Sequence, residues 1–183
     1  MDHFLEEVVK KRNRWLDEIC YYLSWVLMVL SGMFALLELS GYIPALLSGQ
    51  VQFSLFELIF ILLSAGTAIL LFLYHDRLRT EYEYTFTNGS LDFAQVFNNR
   101  KRKSLGSLNV RNVEANGPVT GSAFQRYISM QNVKQNRWFL NRDGNLHFFY
   151  YQKDSVKHVI VLEPSEEMVS LIKQYLPRGV YQE

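Results

Sequence analysis

The side chains in this sequence that could do chemistry are few and scattered. Four histidines, His3, His75, His147 and His158, show no metal-ligand spacing such as H-E-x-x-H. His147 and His158 could meet across neighbouring strands, or stand as two polar residues on a half-solvated sheet face. The single cysteine, Cys20, excludes an intrachain disulfide and a cysteine zinc cluster. It reads either as an acylation point at a membrane boundary or as a solitary buried thiol. Asp143-Gly144 sits in a turn that lacks the other ligand positions of a calcium loop. Nucleophile elbow, Walker loop and dinucleotide fingerprint are all missing. The sequence therefore predicts no enzyme, no metal, no cofactor and no small-molecule substrate.

Two charged features stand out instead. Arg100, Lys101, Arg102 and Lys103 form the one concentrated run of charge. They could bind anionic lipid headgroups or a partner, or serve as solvated gatekeepers beside an apolar strand. No aromatic-basic platform accompanies them, so nucleic acid is not expected. Glu38 and Glu57 are the only formal charges between Ile19 and Tyr74. In a membrane they would make an intramembrane polar contact, with a proton, a cation or a partner's basic group, or else snorkel to the headgroups.

The elements that must position these residues begin with two apolar runs. Ile19–Leu39 and Phe53–Tyr74 contain 21 and 22 residues. As helices each reaches about 31–33 Å, enough for a hydrocarbon core of about 30 Å. Only helices or closed barrels satisfy the backbone in lipid, so a transmembrane helical hairpin is predicted, with 19–39 and 53–74 as spans and 40–52 as the outer loop. Lys10, Lys11, Arg12 and Arg14 precede the first span, Arg77 and Arg79 follow the second, and the loop has none. The asymmetry predicts a multi-pass plasma-membrane protein with both termini cytoplasmic. Residues 1–18, with Phe4, Leu5, Val8, Val9, Trp15 and Leu16 at helical spacing, read as an amphipathic interfacial helix. Ser31/Ala35 and Ser64/Ala68 have the small-xxx-small spacing of close helix contact, within the hairpin or with another helix.

From 79 to 183 the period changes. Glu81–Thr87 alternates strictly and Asn88-Gly89 is a hairpin turn, pairing Thr87 with Ser90, Phe86 with Leu91 and Tyr84 with Phe93. A bulge is expected before Phe97, then a third strand through Leu108 and Val110. Asn116-Gly117-Pro118 reads as a break, and 119–136 as helix or irregular strand. A meander follows from Trp138, through an aromatic strand at 146–151 and a β-branched one at 156–162. The aromatic strand has apolar groups on both faces, one for the core and one for the terminal helix or a partner. Pro164 fits the first position of a helix whose stripe is Met168, Leu171, Ile172 and Tyr175. The fold class expected is a membrane α-helical hairpin plus an α+β soluble domain, a bent antiparallel sheet of at least six strands with a C-terminal capping helix.

The two spans, EYEYTFTNGSLDFAQVFNNRKRK (Glu81 to Lys103) and EPSEEMVSLIKQYLP (Glu163 to Pro177) together resemble a family of uncharacterised Gram-positive bacterial membrane proteins. The resemblance covers nearly the whole chain. It implies a pleckstrin-homology-like cytoplasmic domain and a bacterial origin, and no activity. The function expected is a membrane-anchored, non-enzymatic scaffold or adaptor, with the lipid bilayer and an unidentified protein partner or homo-oligomer as its contacts. The alternatives are an accessory subunit held through the hairpin, or an anionic-lipid sensor.

Overall fold

The computed structural model describes residues 3–50 and 54–182. It divides into two compact units: 13–79, and 1–12 together with 80–183.

The first unit is the apolar hairpin. Helix α1 spans Trp15–Leu47 and helix α2 spans Leu55–Tyr74, both long and apolar enough to cross a membrane. A 3-10 helix, His75–Arg79, follows α2 directly. Helix α1 runs well past the expected limit at Leu39, through Gly41 and Pro44, so most of the expected loop is helical. Phe53, the expected start of the second span, lies outside the described residues. Gly32 faces Ala68, where an added Cβ would lie 3.8 Å from the alanine methyl. Ala35 and Ile61 are also buried, so the small residues Gly32, Ala35 and Ala68 serve the contact between the two helices. The Tyr42 hydroxyl closes the other end, accepting from Ser54 N at 2.8 Å. Apart from Glu38 and Glu57, the remaining circumference is mostly apolar and exposed, as suits a helix pair in lipid.

The second unit starts with a correction. Residues 4–9 are not helical. They form strand β1 (Phe4–Val9), antiparallel to β2 (Thr80–Thr87) from Phe4↔Thr87 to Val9↔Tyr82. Phe4, Leu5, Val8 and Val9 fit a helical stripe, but the order F-L-E-E-V-V fits a strand equally well. An antiparallel neighbour far along the chain decides for the strand. Strand β3 (Ser90–Phe97) has the expected register with β2, through a turn with Asn88 at φ 49° and Gly89 at φ 93°. The bulge lies between β3 and β4 (Lys101–Asn109), where Phe93 pairs with Gly106 and Ala94 with Ser104, leaving Leu105 extra.

The first sheet has the order β1-β2-β3-β4 and the second β5-β7-β8-β6. Strand β5 (Val113–Pro118) includes the Asn-Gly-Pro expected to be a break. Its Gly117 is required, because a Cβ there would sit 2.1 Å from the Gln182 carbonyl oxygen. Helix α3 (Ser122–Ile128) and strand β6 (Val133–Trp138) occupy the ambiguous stretch. Strand β6 pairs in parallel with β8 (Val156–Leu162), itself antiparallel to β7 (His147–Lys153). Helix α4 spans Glu166–Tyr175 and is capped by Ser165, whose hydroxyl accepts from Met168 N. Pro164 thus precedes the cap instead of opening the helix. The main core packs Tyr84, Phe86, Leu91 and Phe93 of the first sheet with Phe149 and Ile160 of the second and Met168 and Ile172 of α4. The other face of β7, with Phe148 and Tyr150, packs under α3 rather than under the terminal helix or a partner.

Candidate functional site

The basic run lies on an edge strand, and the strand period divides it. Arg102 turns to the outer face of the first sheet and meets Glu83 at 2.6 Å. Lys101 and Lys103 fall on the opposite face, and all four basic residues are exposed. Register gives their level: Lys101 pairs with Phe97 and Phe97 with Thr80. The run therefore sits at the end of the sheet where the chain passes to and from the hairpin. Lys10, at the same end, reaches Glu81 at 3.6 Å. Glu81 and Glu83 are only 4% and 7% exposed. Burial pushes the Glu83 carboxyl up, a hydrogen bond with Glu6 adds to this, and Arg102 opposes it.

A groove of about 470 Å³ opens between β1 and the start of α4, lined by Glu7, Val8, Lys10, Arg12, Asn141, Glu163 and Ser165 among others. Polar contacts within it tie distant parts of the chain together. Glu163 accepts from Asn141 N at 3.0 Å and Asn141 Nδ2 at 2.8 Å. The buried Asn141 amide also donates to Lys10 O at 3.0 Å and accepts from Arg12 N at 2.8 Å. The Arg12 guanidinium reaches Asp143 at 3.1 Å. Glu7 accepts from Ser165 N, and burial, with Glu167 and Glu163 nearby, pushes its carboxyl up. Tyr84 donates to Trp138 O and accepts from Glu163 N. Sequence reasoning missed this clasp. Its only local signal was the Asn141–Gly144 turn, since the other members come from both ends of the chain.

Glu38 and Glu57 are both exposed on the hairpin. The contacts Gly32–Ala68 and Tyr42–Ser54 set the antiparallel levels. They put Glu38 opposite residues near 59, about 3 Å deeper from the hairpin tip than Glu57. Glu57 is thus the shallower residue, and Glu38 stands well inside α1, which runs on to Leu47. Glu57 lies in the first turn of α2, beside its cap Ser54.

The histidines do not converge. His147 pairs with Leu162 and His158 with Tyr151, at opposite ends of the same ladder. His158 stacks on Tyr151, and His75 packs between Tyr21 and Trp25. No group of three His, Cys, Asp or Glu that could hold a metal occurs among the described residues. His147 is buried and its Nδ1 has no hydrogen-bond partner among the described residues. Burial, with the charge of Lys173 adding, holds the imidazole below its ordinary value. The folded state then binds fewer protons than the unfolded state, so His147 contributes stability above pH 6.5 that is lost on acidification. His158, also depressed, acts in the same sense. Melting curves through this range are expected to fall less steeply for His147→Gln, and equal slopes would refute the assignment.

A family model described as Bacterial PH-like domain (DUF6106) matches residues 1–182. No curated protein and no solved structure matches the chain.

Proposed function

This chain belongs to the bacterial PH-like domain family, and from that premise we propose that it is a membrane-anchored interaction module. It carries no catalysis and presents its domain to a protein partner at the cytoplasmic face. One observation carries the reading: the apolar hairpin is inserted between two paired strands, leaving β1 after Val9 and re-entering at Thr80. Both ends of the hairpin belong to one domain, so that domain and the N-terminus share a side of the membrane. The lysines and arginines flanking the hairpin favour the cytoplasm. The domain is thereby joined to the hairpin at both of the hairpin's ends. The test exchanges residues 15–74 for an unrelated hairpin of equal length. Partners that still co-purify support the domain as the binder; partners lost with the native hairpin favour an accessory subunit held through Glu38 and Glu57.

A second reading rests on the basic sheet end. Arg100, Lys101 and Lys103 form no ion pair among the described residues, and each cation near an anionic surface contributes about 1 kcal/mol. In this reading the domain's hairpin-side end contacts anionic headgroups. Serine at all four positions from Arg100 to Lys103 is expected to abolish the difference between the domain's hydrogen exchange in anionic and in neutral nanodiscs. An undiminished difference would sink the lipid contact.

A further inference from the structure

Four strands form the edges of the two sheets, and three of them are guarded. Strand β4 carries Lys101, Arg102, Lys103 and the bulge at Leu105, devices that blunt an edge against pairing. Strand β6 carries Lys134 and Arg137. Strand β5 is bridged by the C-terminal tail, with Asn116 N donating to Val180 O and Gln182 N to Asn116 O. Strand β1 has no lysine, arginine, proline or bulge, and its Phe4 and Val8 are 64% and 46% exposed.

The hydrogen bonds of β1 show which groups are open. Asn88 N donates to His3 O, so alternation assigns Leu5, Glu7 and Val9 to the bonds with β2. The N–H and C=O groups of Phe4, Glu6 and Val8 point away from β2 and meet no protein group among the described residues. Next in the series, the Lys10 carbonyl is bonded by the Asn141 amide, which also holds Arg12 N. That side chain occupies the place of a peptide group in a neighbouring strand. The clasp therefore finishes one end of an edge whose remainder borders the groove.

We propose that the free edge of β1 takes an extended basic segment of a protein partner as an added strand, beside the start of α4. This rests on the interaction-module reading and names its surface. Charge selects the occupant. Glu6, Glu7, Glu163 and Glu166 border the edge and groove, while the lining cations Lys10 and Arg12 are paired with Glu81 and Asp143. A second copy fits less well, although its β4 is basic. The rows of the sheet set Lys103 level with Val9 and Arg102 level with Glu81, the partner of Lys10. A copy anchored alongside would bring its cations against Lys10, not Glu6.

The test uses the full chain in neutral detergent and a labelled peptide of alternating lysine and valine, with a glutamate–valine peptide as control. Saturable anisotropy for the lysine peptide alone is expected. Val8→Pro should weaken it by about tenfold, because it removes an outward N–H without touching the bonds to β2. Glu166→Lys, at an exposed position on the groove wall, should weaken it too, and decides the matter if Val8→Pro lowers the melting temperature. Equal binding of both peptides, or unchanged binding by the Glu166→Lys chain, overturns the proposal. In cells, a photo-crosslinking residue is placed at Phe4 or at the distant, exposed Val156. Crosslinks to another protein from Phe4, lost with Val8→Pro, support the edge. Crosslinks from Phe4 to a second copy overturn the occupant. Crosslinks only from Val156 overturn the edge but leave the interaction module standing, and none from either position counts against the module itself.

Discussion

Alanine at Phe86 is expected to cost about 3–5 kcal/mol of domain stability. The ring is fully buried on β2, opposite Leu91, in the core that joins both sheets to α4. It meets Tyr175 edge-on at 5.2 Å, and Tyr175 also closes over the turn at Gly89, where an added Cβ would lie 2.8 Å from its ring. Truncation would open a cavity and withdraw the surface on which the last turn of α4 rests. Domains are stable by about 5–15 kcal/mol, so about a fifth of the total or more is at stake. Phe4→Ala makes the same chemical change at an exposed position and should cost about 0.5 kcal/mol or less. Denaturant melts of the two variants decide it. Similar losses would refute the placement of the core.

The β2–β3 hairpin was legible because its determinants are local. A strict alternation, an Asn-Gly turn and another alternation agree on one register, and the structure keeps it. Strand β1 was not legible, because its partner lies beyond the whole apolar hairpin and its six residues satisfy two periods at once. Strand β5 was hidden by its glycine and proline, which look like punctuation. Gly117 is there because the tail's backbone approaches it, a contact from the far end of the chain. Helix α1 was underestimated because the limit was set where the apolar run ends at Leu39, before Ser40 and Gly41. Along an apolar hairpin the backbone has no better partner than the helix itself, and α1 continues to Leu47.

The candidate site divides along the same line. Composition located Arg100 to Lys103, but only the pairing of β4 separates Arg102, engaged with Glu83, from Lys101 and Lys103. Glu38 and Glu57 were visible as lone charges in apolar runs, whereas their relative depth depends on which residues of the two helices touch. The clasp had no sequence signature, since Arg12, Asn141 and Glu163 are ordinary residues until the fold brings them together.

Removing the clasp's central carboxylate is the second change with a large expected effect. Glu163→Ala should cost about 2–4 kcal/mol, because Asn141 N and Asn141 Nδ2 lose a charged acceptor in a mostly buried place. Gly144 lies close beneath that carboxylate, where a Cβ would come within 2.6 Å of it, so the space left cannot be filled by a simple shift of side chains. Glu163→Gln keeps one carbonyl acceptor and should cost about half as much. The loss should also be local in its first expression. Asn141, freed from Glu163, no longer holds Lys10 O and Arg12 N in place, and these are the last points of the domain before the chain enters the hairpin. Hydrogen exchange over residues 3–12 should therefore accelerate more than over β7 and β8. Uniform acceleration would mean that the clasp is only another part of the core. If the local response is found, the clasp is what fixes the end of β1, the same edge strand proposed to receive a partner.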